Sequence, residues 1–209
     1  MGRRAEPRRA SAHDGELSAA VARAQQGDEA AFAVVYRLVQ PGLLGYLRGL
    51  VGEAAETVAA EAWQEIARDL GRFHGDGAGF RGWTTAIARR RAAAAARRPE
   101  AGQRIAAPEP DGPEPVESAG PLGTYEEVPA ALSARRALQL IAGLPRDQGE
   151  AVLLRVVVGL DGPAAARVLG QRPEAVRASA HWGLRRLAAR LDERGNGEDR
   201  SGTRDKRRR

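Results

Sequence analysis

Seven prolines fall between Pro99 and Pro129, mixed with glycines and acids, and no regular helix or strand can be carried through such a segment. The 209-residue chain is therefore divided in two. Residues 1–13 are Arg-rich without periodicity and read as a disordered basic arm. Residues 14–98 form a helical block, 99–130 a flexible acidic linker, and 131–192 a second helical block. Residues 193–209 read as a disordered basic tail. Apolar residues recur at three- and four-residue steps on both sides of the prolines, and no strand-like alternation occurs. The expected fold class is all-α: two small helical domains joined by a Pro/Gly-rich acidic linker.

Composition narrows what such a chain can do. It is 43% hydrophobic but only 4% aromatic, so its cores must be built from Ala, Val and Leu. The net charge of +6 favours a polyanionic partner. Without cysteine there is no disulfide scaffold, thiolate metal site or thiol nucleophile. His13, His74 and His181 have no metal-ligand spacing, so neither metal nor cofactor is expected. No run of eighteen apolar residues occurs, and Arg3-Arg4 is not followed by an apolar stretch. Direct membrane insertion is not expected; a cytoplasmic location is. Glu61 and Glu65 form an i, i+4 carboxylate pair of the kind found on solvated faces. There is no P-loop, nucleophile elbow or dinucleotide turn, so an enzyme is not expected.

The second block carries a specific layout. A short helix fits Pro163 to Leu169, with Asp161 or Gly162 at its cap, and Gly170 can take the positive φ that turns the chain. Pro173 suits the first position of a longer helix. On that helix Val176, Ala180, Leu184, Leu187 and Leu191 share one face. Glu174, Arg177, Ala178, His181 and Arg185 lie on the other. From Arg167 to Arg190 there are six Arg against one acid, Glu174. A helix-turn-helix with a cationic outer face is suited to the major groove.

In the first block, Leu17, Val21 and Ala24 begin a helix that stops at Gly27. Asp28 caps a second, running through Phe32, Val35, Tyr36 and Val39 to Pro41. A third piece spans Leu43 to Val51. A long helix from Glu53 to Leu70 turns Val58, Ala62, Trp63, Ile66 and Leu70 inward and leaves Glu56, Glu61, Glu65 and Asp69 wet. Residues 71–80 are glycine-rich and read as a loop, followed by a helix from Arg81 to Arg98. Trp63 and Trp83 read as core, and Trp182 as either packing or contact. Residues 14–72 carry nine acids against five Arg, whereas 89–98 carry five Arg and no acid. One surface can meet protein and another nucleic acid.

Order and spacing resemble bacterial RNA polymerase sigma factors of the extracytoplasmic-function (ECF) group. The first-domain resemblance lies in Gln26 to Phe32, Ala55-Glu56, Trp63, Leu70, Phe73, Phe80-Arg81-Gly82-Trp83 and Ile87-Ala88. That of the second lies in Gly143-Leu144-Pro145, Glu150, Leu153-Leu154-Arg155, Gly159-Leu160, Ala166, Leu169-Gly170 and Glu174 to Arg177. The resemblance implies binding to core RNA polymerase and to promoter DNA, with an anti-sigma protein as a further expected partner. It assigns the polymerase clamp to Glu56, Thr57, Ala60, Glu61 and Glu65. It assigns the minus-ten element to Phe73, His74, Asp76, Phe80, Arg81, Arg89, Arg90, Arg91, Arg97 and Arg98. The minus-thirty-five element falls to Arg172, Glu174, Arg177, Ala178, His181 and Arg185. The chain departs from the family pattern at Thr57, Ala60, Arg90, Gly149 and Trp182. Two other readings stay open: a helix-turn-helix regulator with a sensing first domain, and a divergent sigma-like protein acting through protein contacts.

Overall fold

The computed structural model describes residues 6–97 and 127–205, with side chains for 13–97 and 133–191. Among these residues there is no strand. The first domain is built from α1 (Glu6–Ala24), α2 (Glu29–Val51), α3 (Ala55–Asp69) and α4 (Gly77–Ala95). Short 3-10 turns at Gly52–Ala54 and Leu70–Arg72 connect the last three. The second domain contains α5 (Glu127–Ala142), α6 (Arg146–Val152), a π-helical turn at Leu153–Val157, α7 (Gly162–Leu169) and α8 (Pro173–Asp205).

Local chemistry accounts for most boundaries. Asp28 caps α2 by accepting from the Ala31 amide at 2.9 Å, and Arg23 donates to its other oxygen. The Ala31 amide and the Arg23 guanidinium hold the Asp28 carboxyl below its usual range. α2 continues through Pro41, where the sequence predicts a break. Pro41 is exposed, so water can serve the carbonyl that loses its amide partner. α4 begins at Gly77, four residues earlier than expected, because Asp76 accepts from the Gly79 amide at 2.7 Å. Burying Phe80 completely offsets the glycine cost, about 1 kcal/mol per residue.

Among the described residues, helix reaches into both stretches expected to be disordered. α1 starts at Glu6, inside the expected arm, and α8 extends to Asp205, through most of the expected tail. Neither end carries apolar periodicity, but lengthening a packed helix is far easier than nucleating a new one. α5 starts at Glu127, within the expected linker. The rest of that linker, 99–126, lies outside the described residues, as does Arg98.

The core is almost wholly aliphatic. Leu17, Val35, Leu43, Leu47, Val58 and Ile66 are buried together in the first domain, and the five residues expected inward between 53 and 70 are all buried. Trp63 packs on Phe32 and Tyr36 and donates through Nε1 to Gln40 at 2.6 Å. One window within 29–72 is apolar enough to cross a membrane by composition. In the fold that stretch supplies Val35, Val39, Leu43 and Leu47 to the core. The cluster continues without a break into Leu153, Leu154, Ala165 and Val176 of the second domain.

Candidate polymerase and nucleic-acid interfaces

The helix-turn-helix forms as its residues predict. Asp161 accepts from the Ala164 amide at 2.7 Å, and Gly170 turns the chain at φ +66°. On α8, Val176 and Ala180 are buried and Leu187 is half-buried. Leu184 and Leu191, expected in the core, are 45% and 55% exposed. The buried stripe instead passes through Gly183, where a Cβ would stand 2.7 Å from the Val152 side chain. α6 lies so close that only glycine fits, and Leu184 is rotated outward. Arg172, Glu174, Arg177, Ala178, His181 and Arg185 are all exposed along α8 and its lead-in. Trp182 joins them, 54% exposed, with Arg185 over its ring at 5.9 Å and His181 edge-on at 5.7 Å. Among the described residues no carboxylate pairs with Arg172, Arg177 or Arg185.

The first-domain loop is organised differently from the sequence expectation. Phe80 is fully buried, and Phe73 and Trp83 pack against it with ring centroids 5.0 and 5.5 Å away. The aromatic trio is a small core, so Phe80 offers no stacking face to a base. His74 and Asp76 are exposed, and Asp76 is committed to capping α4. Gln25, the residue after α1, donates to the carbonyls of Leu70 and Phe73, which fixes the bend leading into the loop.

Four of the arginines that the resemblance assigns to the minus-ten element already have carboxylate partners. Arg81 is paired with Asp14, and burial pulls the Arg81 pKa below its usual value. Arg90 and Arg91 converge on Glu65, with Arg91 Nε at 2.6 Å. Burial alone would push Glu65 up, but the two guanidiniums outweigh it and hold the carboxyl low. Arg89 donates from Nε to Glu150 at 2.6 Å, which raises the Arg89 pKa. Arg97 is exposed.

The residues that the resemblance assigns to the clamp divide between surface and interior. Glu56, Thr57 and Ala60 are exposed on α3, Glu56 in an ion pair with Arg48 at 3.0 Å. Glu61 is half-buried. Glu65 is only 8% exposed and faces α4, so it is removed from that surface. The i, i+4 pair thus divides: 61 lies at the edge and 65 inside, because α4 brings two arginines over it. Sequence reasoning did not single out Asp14, which pairs with Arg81, or Tyr46, whose hydroxyl donates to Glu150 at 2.9 Å. Nothing local marks them; both acquire their roles from residues far along the chain.

The chain is 34% identical over 184 residues to the ECF RNA polymerase sigma factor ShbA of Streptomyces griseus, covering 83% of this chain and 94% of that protein. It is 34% identical over 178 residues to the ECF RNA polymerase sigma factor SigD of Mycobacterium tuberculosis, covering 82% of each. Its fold is similar to that of CnrH, solved in complex with the cytosolic domain of CnrY. That match has a TM-score of 0.58 and 19% identity, over 85% of this chain and 98% of the other. No protein-family model matches the chain.

Proposed function

Because the chain belongs to the ECF RNA polymerase sigma factors, we propose a division of work over its surface. The protein binds core RNA polymerase and directs promoter recognition and transcription initiation. α8 reads the minus-thirty-five duplex through Arg172, Glu174, Arg177, Ala178, His181 and Arg185. The observation that carries this assignment is the exposed α8 face, whose arginines have no carboxylate partner among the described residues. Base edges and phosphates are then its natural counter-groups.

Glu56, Thr57 and Ala60, with Glu61 at the margin, meet the polymerase clamp. His74 and Arg97 contact the minus-ten strand, whereas Phe80, Arg81, Arg90 and Arg91 hold the first domain together. An anti-sigma partner belongs to the same reading. The chain works in the cytoplasm, where polymerase and promoters are, and no catalytic step is assigned to it.

The test adds purified protein to core polymerase that has no specificity subunit, on a template carrying candidate promoters. Start-site-specific transcripts that depend on the added protein are expected. Duplex binding without core-dependent initiation would indicate a helix-turn-helix regulator instead and overturn the reading.

A further inference from the structure

Aromatic side chains are scarce in this chain, and most of those described are used to pack its interior. Tyr46 and Phe80 are fully buried, Trp63 is nearly so, and Phe73 and Trp83 pack around Phe80. Tyr36 is partly exposed but lies against the Trp63 ring at 4.7 Å. Trp182 differs from all of them. It is the most exposed of the described aromatic residues, and the family resemblance assigns it no role. A large apolar ring left in water is costly unless a partner covers it.

Residues three and four apart share a helical face, which sets Trp182 beside Ala178 and Arg185. Both are exposed, and the inward stripe through Val176, Ala180 and Leu187 is turned away from them. The Arg185 Cζ lies over the indole, 5.9 Å from the ring centroid, and His181 meets the ring edge-on at 5.7 Å. A guanidinium is attracted to the negative face of an aromatic ring, so Arg185 is partly ordered before it meets any partner. Eight residues separate Trp182 from Glu174, about 12 Å along the helix axis. The first turns of a recognition helix lie closest to the base edges, so a residue this far along needs a long side chain to reach one. Among the groups that the major groove presents, the C5 methyl of thymine is the apolar one. With Arg185 on one face of the ring, the other face is left for such a methyl.

We propose that Trp182 is a specificity-determining residue of the α8 face. Its indole packs on a thymine methyl at one end of the upstream element and steadies Arg185 beside it. The inference rests on the proposed reading of the minus-thirty-five duplex by α8. It adds an apolar contact that the arginines of that face do not supply, and it ties recognition to thymine at one position.

Removing that methyl tests it. The full chain, assembled with core polymerase, enriches duplexes from a random-sequence library. Each thymine of the enriched upstream element is then replaced singly by deoxyuridine, which deletes the C5 methyl and leaves base pairing unchanged. One replacement is expected to weaken binding by the parent about fourfold, the effect of losing one buried methyl. Trp182→Ala should bind the unmodified duplex several-fold more weakly and should not distinguish thymine from deoxyuridine at that position. Trp182→Phe, which keeps an apolar ring, should retain the distinction. A role confined to packing within the protein would leave the preference for thymine untouched in all three chains. An upstream element enriched without thymine, a parent indifferent to every upstream deoxyuridine, or equal sensitivity in the parent and Trp182→Ala overturns the inference while the reading by α8 stands. Failure to enrich any upstream sequence overturns the α8 reading itself, and this contact with it.

Discussion

The arginines of α4 and those of α8 are the same residue type at similar density, yet they are used in opposite ways. On α4, Arg89, Arg90 and Arg91 each meet a carboxylate delivered by another helix. On α8, Arg177 and Arg185 project from an exposed face without a carboxylate among the described residues. A run of arginine is therefore not a binding surface until the position of the acids is known. The difference comes from packing: α3 packs on α4 and the Glu150 side chain of α6 reaches Arg89, whereas nothing described covers the outer face of α8.

The largest expected effect that could break this contrast comes from Glu65→Ala. It leaves Arg90 and Arg91 facing each other without a counter-charge and should cost about 3 kcal/mol in a urea melt. That is the low end for a broken buried pair, because Arg90 keeps access to water. An unchanged midpoint would mean that these arginines are not structural. Arg177→Ala should leave the melt untouched and weaken promoter duplex binding by about 2 kcal/mol if the guanidinium forks a guanine. A stability loss with intact DNA affinity would reverse the assignment.

A smaller effect is expected from Asp161→Ala, which removes the α7 cap and should cost about 1 kcal/mol of stability. Calorimetry should show it, and no loss would place the cap energy elsewhere. The smallest concerns acid. The folded-state pKa of Glu65 lies below the ordinary 4.5, so its pairing contributes stability above that value and loses it as pH falls through the folded-state pKa. Thermal melts should fall more steeply on the acid side for the parent than for Glu65→Gln. Parallel curves would show that the pair does not titrate with folding.

The fold was legible wherever one residue suffices to determine local geometry. Asp28, Asp161, Gly170 and Pro173 mark helix ends because capping oxygens, positive φ and a missing amide act within one turn. Leu184 was misread because the stripe is set by α6, whose approach demands Gly183, and no local pattern reports the distance of another helix. The exposed face of α8 followed from helical periodicity, whereas Thr57, Ala60, His74 and Arg97 came only with the family resemblance. The neutralised arginines followed from neither: Glu65 meets arginines 25 and 26 positions away, and Glu150 meets one 61 positions away. Separations of that kind are encoded in topology rather than in spacing.

The side-chain amide of Gln25 reaches Leu70 and Phe73, 45 and 48 positions downstream. The course of the chain into the 74–76 segment is thus held by the residue that follows α1, the helix preceding everything else in the domain. Shortening α1 from its C-terminal side, or exchanging Gln25 for a residue with no amide, would loosen a bend distant in sequence while leaving every residue of that bend unaltered. Comparisons restricted to the loop itself would then miss the determinant of its shape.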